Sequence, residues 1–89
     1  MAGYRLEITK EAREEFQKIS KKDQPLLKRA EAQILKILNY PEIGKPLRHN
    51  MKNLRRLHVG SFVLIYETEG ETIRILDFDH HNNIYKKKK

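Results

Sequence analysis

Leu54-Arg55-Arg56-Leu57-His58-Val59, Gly60-Ser61, Phe62-Val63-Leu64-Ile65-Tyr66-Glu67-Thr68, Glu69-Gly70 and Glu71-Thr72-Ile73-Arg74-Ile75-Leu76-Asp77-Phe78-Asp79 follow one another and close on His80, His81 and Tyr85. Three runs rich in Ile, Val, Leu, Phe and Tyr are separated by two glycine-bearing breaks of about two residues, the pattern of consecutive hairpins. A meander of three antiparallel strands is predicted. Upstream, Tyr4-Arg5-Leu6-Glu7-Ile8 alternates apolar and polar residues as a half-buried strand does. Thr9 then caps a helix with Glu11 in its first turn, and Ala12, Phe16 and Ile19 give that helix one apolar stripe ending near Ser20. Asp23 caps a second helix that tolerates Pro25 in its first turn and carries Leu26 or Leu27, Ala30, Ile34, Ile37 and Leu38 on one period. Asn39-Tyr40-Pro41 stops it, and the short Lys21-Lys22 link makes the two helices an antiparallel hairpin. The fold expected is α+β, in the order β-α-α-β-β-β, with the helical hairpin packed on one face of a small, mainly antiparallel, curved sheet. The first strand joins the meander in the middle or at an edge. The other sheet face is either solvated or covered by a ligand or partner.

The chain has 89 residues, enough for one domain, taken as residues 1–85, with Lys86 to Lys89 a flexible, solvated basic tail. It lacks cysteine, which excludes disulfides, thiol catalysis and Cys-based zinc sites. No apolar run resembles a signal peptide or a membrane span, so a cytoplasmic protein without membrane association is expected.

The net charge of +7 is local. Residues 39–59 hold Lys45, Arg48, Lys52, Arg55 and Arg56 against Glu42 alone, whereas residues 60–85 hold Glu67, Glu69, Glu71, Asp77 and Asp79 against Arg74 alone. Such a patch attracts polyanions through phosphate contacts and counterion release, which points to nucleic acid or a nucleoprotein particle. A solvated basic surface that aids solubility is the plainer account of the same charge. Between Asn39 and Asn53 the breakers Pro41, Gly44 and Pro46 mark an irregular connection of about fifteen residues, long enough to suggest a functional loop. Its Lys45, Arg48, His49 and Lys52, with Arg55 beyond, are candidate RNA or phosphate ligands.

In the strand from Leu54 to Val59 the side chains alternate. Burying Leu57 and Val59 under the helices leaves Arg56 and His58 facing outward together. His80, His81 and Tyr85 follow the last strand and form a second candidate group. Cleaving an RNA phosphodiester needs a base for the 2′-OH, positive charge on the developing phosphorane and an acid for the leaving 5′-oxygen. Arginine suits the charge role because its guanidinium forks onto phosphate oxygens. Histidine, present in both forms near neutrality, suits the base and the acid. Each residue also has a plainer role. Arg56 could pair with Glu67 or Asp77 across the sheet, His58 could be a surface residue, His80 and His81 could pair with Asp77 and Asp79, and Tyr85 could pack its ring on the sheet. Asp77, Asp79, His80 and His81 show no established metal-ligand spacing, so neither metal nor cofactor is expected.

The segment Arg56-Leu57-His58-Val59-Gly60-Ser61-Phe62-Val63-Leu64-Ile65-Tyr66-Glu67 resembles the R-I-R-V-G-D-Y-R-V-I-Y-E signature of RelE/ParE-type toxins. Ile73 to Leu76 followed by His80-His81-Asn82-Asn83-Ile84-Tyr85 resembles the family's final strand and its H-R-x-x-V/I-Y ending. The resemblance covers nearly the whole chain, with two departures: Val63 and His81 each stand where the family pattern has an arginine. It implies the toxin of a toxin-antitoxin pair, a metal-independent endoribonuclease that cleaves messenger RNA in the ribosomal A site. Arg56, His58, His80, His81 and Tyr85 match the family's functional positions. It also implies a cognate RelB-like antitoxin and a toxin-antitoxin hetero-oligomer. Two rivals stand beside this reading: a ParE-like gyrase poison, favoured by Val63, and a catalytically inactive module that binds antitoxin or RNA.

Overall fold

The computed structural model describes residues 3–47 and 53–87, the last three of these by their backbone alone. Strand β1 (Arg5–Ile8) leads through Thr9 into helix α1 (Lys10–Lys22), followed by α2 (Gln24–Asn39), a two-residue strand β2 (Lys45–Pro46), and the meander β3 (Leu54–Val59), β4 (Phe62–Glu69) and β5 (Thr72–His80). A short helix α3 (His81–Lys87) ends the described chain. The sheet order is β1-β5-β4-β3-β2, with β1 parallel to β5 and every other pair antiparallel. The first strand therefore lies at an edge.

Local chemistry explains the joints. The Thr9 hydroxyl accepts the Ala12 N–H at 3.2 Å and donates to the Leu76 carbonyl at 2.9 Å, so one side chain caps α1 and ties it to β5. The two helices are closer in sequence than expected. Lys21 and Lys22 belong to α1, and Asp23 alone joins the pair: its N–H closes α1 onto the Ile19 carbonyl while its carboxylate accepts the Leu26 N–H at 3.1 Å. A residue that ends one helix and caps the next needs no linker. Gly60 and Gly70 open the two hairpin turns with φ of 62° and 59°, a conformation that costs glycine little and that matches the twist of the strands.

The sheet divides the apolar residues into two clusters. Ala12, Ile19, Leu26, Ala30, Ile34 and Ile37 from the helices pack on Val59, Leu64, Tyr66, Ile73, Ile75 and Phe78. On the opposite face Val63 and Ile65 bury Ile84 of α3, flanked by Leu47, Leu54 and Leu76. This answers the question left by the sequence: the second face is covered in part by the chain's own C-terminal helix. Neither α3 nor β2 was foreseen. The segment His81-Asn82-Asn83-Ile84 offers only one apolar residue and poor helix formers, so no period shows, and its helicity comes from docking Ile84. Strand β2 exists because Lys45 and Pro46 pair with Arg56 and Arg55. The helix α3 runs through Lys87, taking in the backbone of the first two lysines assigned to a tail. No described helix is long and apolar enough to cross a membrane.

Candidate functional site

The face that carries Ile84 also carries the chemistry. Register places Arg56 opposite Ile65, which lies opposite Asp77; in the next row on that face His58 is opposite Val63, which is opposite Asp79. Each row therefore runs from a basic group on β3, across a buried aliphatic floor on β4, to an aspartate on β5. Lys45 pairs with Arg56 from β2 and continues the basic border outwards. Arg56 is half-buried, while His58 and Lys45 are exposed.

The histidines at the end of β5 are arranged differently. His80 pairs with Phe62, one residue beyond the Val63–Asp79 pair, and so points to the helix side. There it extends an aromatic series in which Phe16 stacks on Phe78, Phe78 on Phe62, and Phe62 meets the His80 ring edge-on at 5.9 Å. Its Nδ1 accepts the Asn82 N–H at 3.3 Å, capping α3. Three residues along and two strands across separate Arg56 from His80, roughly 14 Å between Cα atoms by strand geometry, and on opposite faces. The exposed His81 ring lies tilted against that of His80, centroids 4.7 Å apart, and the His81 N–H donates to the Ser61 carbonyl, which brings its backbone beside the β3–β4 turn. Asp79 fixes this start of α3 by accepting the His80 N–H at 2.7 Å and the Asn83 side-chain amide at 3.3 Å. The structure thus groups Lys45, Arg56 and His58 on one face, ties the His81 backbone to Ser61 in the β3–β4 turn with its ring against that of His80, and places His80 on the other side of the sheet. Tyr85 belongs to α3 by its backbone, and Arg48, His49 and Lys52 lie outside the described residues.

Arg55 turns to the helix side instead. Its Nη1 donates to the carbonyls of Gly44 at 2.7 Å and Glu42 at 3.4 Å, stapling the connection after α2. It borders a groove of about 480 Å3 with Tyr4, Asn39, Tyr40, Glu42, Ile43 and Thr68, which contains neither Arg56 nor any histidine. The same connection hangs on Tyr66, whose buried hydroxyl donates to the Pro41 carbonyl at 2.6 Å and accepts the Gly44 N–H at 3.0 Å. Burial raises the Tyr66 pKa, and the Gly44 hydrogen bond and the nearby Arg55 charge oppose that rise.

Electrostatics narrow the anion-attracting surface further. On the face of Arg56, Arg74 is held by Glu7 at 2.9 Å, by Glu69 at 3.1 Å and by Glu67, and hydrogen bonds to these three carboxylates, Glu7 foremost, push its pKa upward. Three acids on one arginine leave that end of the sheet negative, so a phosphate chain is favoured only along the β2–β3 border. Among the described residues no three His, Asp or Glu side chains converge as metal ligands would. Asp77 and Asp79 point away from the side taken by His80. Sequence reading weighed the two aspartates as ion-pair partners and as metal ligands beside His80 and His81. The period-two spacing of Asp77 and Asp79 about Phe78 was the signal that both share the face of Arg56.

Comparison with known proteins settles the family. The profile described as the ParE toxin of type II toxin-antitoxin systems, parDE, matches residues 6–85. The chain belongs to the RelE/ParE superfamily of toxins. It is 39% identical over 89 residues to a Methanocaldococcus jannaschii protein bearing the name RelE4, covering 97% of this chain and 95% of that one. The fold is similar to the YoeB dimer of Staphylococcus aureus, with a TM-score of 0.77 at 17% identity over 90% of this chain and 99% of the other. It is also similar to a chain of the E. coli DinJ-YafQ toxin-antitoxin complex, with a TM-score of 0.73 at 20% identity over 93% and 98%. At such identities the structural matches establish the shared toxin fold, including a mostly antiparallel sheet with the helical hairpin on one side. The superfamily's arginine position falls on Val63, which here has no exposed surface.

Proposed function

We propose that this toxin is a metal-independent endoribonuclease that cleaves messenger RNA held in the ribosomal A site and is neutralised by an acidic, RelB-like antitoxin in a hetero-oligomer. The observation that carries the reading is the shared face of Lys45, Arg56 and His58, with exposed His81 bonded through its backbone to the β3–β4 turn. Arg56 binds the scissile phosphate and answers the charge that grows on its oxygens, with Lys45 beside it. Of His58 and His81, one takes the proton from the 2′-OH as that oxygen bonds to phosphorus, and the other protonates the 5′-oxygen as its bond to phosphorus breaks. A 2′,3′-cyclic phosphate and a 5′-hydroxyl result, with protons balanced between the two imidazoles. His80 supports this pair from behind through its ring contact with His81, and Tyr85 completes the set from α3. Arg48, His49 and Lys52, which lie outside the described residues, are proposed to add phosphate contacts. Val63 shifts the burden of charge onto Arg56 and Lys45. The assay is mapping of mRNA 5′ ends after adding the purified protein to a translating extract, with Arg56→Ala and His81→Ala as controls. New ends inside codons, lost with either variant, are expected; intact messages at high dose would falsify the nuclease.

One observation favours a second reading. Burial of Val63 beneath Ile84 removes a cation from the face and fits a non-nucleolytic, gyrase-poisoning toxin. Stalled cleavage complexes in a gyrase supercoiling assay, together with intact mRNA in the extract, would decide for it.

A further inference from the structure

Asp77 is the buried charged side chain among the described residues, 4% exposed, and the cleavage chemistry above does not use it. Its Oδ1 accepts the Phe78 N–H at 2.9 Å, a bond that an amide oxygen would make as well. The charge itself therefore needs another reason. A carboxylate on the face of Val63, Ile65 and Ile84 is costly unless a cation answers it. Five described cationic or titratable bases share that face. Arg5, on β1 opposite Thr72, lies five residues along β5 from Asp77. Arg74 is already held by Glu7, Glu67 and Glu69. His58 lies one row away, opposite the Val63–Asp79 pair, and Lys45 is a strand further out than Arg56. Arg56 occupies Asp77's own row, with only Ile65 between them. Two strand spacings put their Cα atoms about 10 Å apart, a span that an arginine and an aspartate side chain cover together. The sheet also slips its register between Ile65 and Tyr66, where Leu76 is the extra residue on β5, so this row lies at a local bend.

We propose that Asp77 is the positioning residue of Arg56: its buried carboxylate draws the guanidinium across Ile65, fixes the plane of the fork and leaves the outer N–H donors aimed at a phosphate. A free arginine would attract RNA equally well but sample many orientations. Held from behind, it meets the phosphorane without reorganising. The role assigned to Arg56 rests on the nuclease reading; the pairing with Asp77 does not.

The test is a double-mutant cycle on the full chain with Asp77→Asn, which keeps the Phe78 bond, and Arg56→Met, which keeps the aliphatic stem. Urea unfolding is read first. Arg56→Met should lower the folded-to-unfolded ratio about tenfold or more by stranding a buried charge, and adding Asp77→Asn should recover most of that loss. Additive effects overturn the pairing. If Asp77→Asn alone fails to fold, the double variant compared with Arg56→Met still reads the recovery. The second readout is RNA cleavage in the translating extract. Asp77→Asn should lower kcat at least tenfold with KM within about twofold, the pattern of lost orientation rather than lost attraction. A raised KM at unchanged kcat overturns the positioning role. Absence of cleavage by the wild type removes the nuclease reading, and the unfolding cycle alone then decides the pairing.

Discussion

Replacing Ile84 by alanine tests the claim that, among the described side chains of α3, Ile84 is the one apolar anchor. Ile84 has no exposed surface and packs on Val63 and Ile65, with its neighbours His81, Asn82 and Asn83 exposed. Truncating a buried isoleucine to alanine costs about 2–5 kcal/mol, the upper part of that range arising when a rigid cavity remains. Here the cavity need not persist, because a seven-residue helix at the chain end can lift away. The loss is then bounded by what α3 contributes when docked. Burying one isoleucine is worth about 1.5–3 kcal/mol, and the Asn83 and His80 contacts add little because both bonds face solvent. The expected change is therefore about 2 kcal/mol, roughly thirtyfold in the folded-to-unfolded ratio. Urea unfolding would show a lower midpoint, and hydrogen exchange would show α3 amides losing protection before the amides of β4 and β5. A change under about 0.5 kcal/mol, the size of an ordinary surface substitution, would refute the single-anchor account.

Two further substitutions probe the connection after α2. Gly44→Ala would set its Cβ 2.7 Å from both the Arg56 carbonyl and the Tyr66 hydroxyl; the first is backbone and cannot yield, so a loss of about 1–3 kcal/mol is expected, read as a lowered Tm with cleavage falling because β3 is displaced. Tyr66→Phe strands the Gly44 N–H and the Pro41 carbonyl at a cost of about 1–3 kcal/mol. It should also change the alkaline limb of stability: the folded-state pKa of Tyr66 is raised above the ordinary 10.0, so the wild type is stabilised below that pH and loses this contribution as pH climbs through the folded value. The phenylalanine variant should show a shallower decline above about pH 10, and an unchanged alkaline limb would speak against a buried neutral phenol.

The two hairpins and the helical pair were legible because their signals are local. Gly60 and Gly70 must supply positive φ at the turns, and the stripes Ala12–Phe16–Ile19 and Ala30–Ile34–Ile37 repeat at helical spacing. Alternation also placed Arg56 and His58 on one face correctly, since a strand fixes that from sequence alone. What failed to show depends on distant partners. The parallel pairing of β1 with β5 joins residues 67 apart in the chain, as in Glu7 with Arg74. Arg55 was expected among the phosphate ligands of the basic segment, yet its one-residue offset from Arg56 sends it to carbonyls on the other side of the sheet. His80 and His81 read as a pair of equivalents, but the strand ends between them, so one caps a helix and closes an aromatic row while the other stays exposed.

Val63 joins the fold to the proposed chemistry. The superfamily pattern has an arginine at this place, and here an arginine would have to lie beneath Ile84. Two outcomes compete in a Val63→Arg variant. Keeping α3 docked buries a guanidinium, which costs several kcal/mol even after relaxation. Among the described apolar side chains, lifting α3 forfeits the Ile84 contact, about 1.5–3 kcal/mol. The cheaper route wins, so the variant should lose about 2 kcal/mol rather than more than 5, and α3 should lose hydrogen-exchange protection as it does in Ile84→Ala. Because both substitutions abolish the same contact, the double variant Val63→Arg/Ile84→Ala should be little worse than either single one. The added cation, no longer buried, would stand beside Arg56 and His58, and binding of a non-cleavable RNA should tighten with a steeper dependence on salt. Additive stability losses would show that α3 stays docked over a charged floor. In that case the absence of the arginine could not be traced to the seating of Ile84.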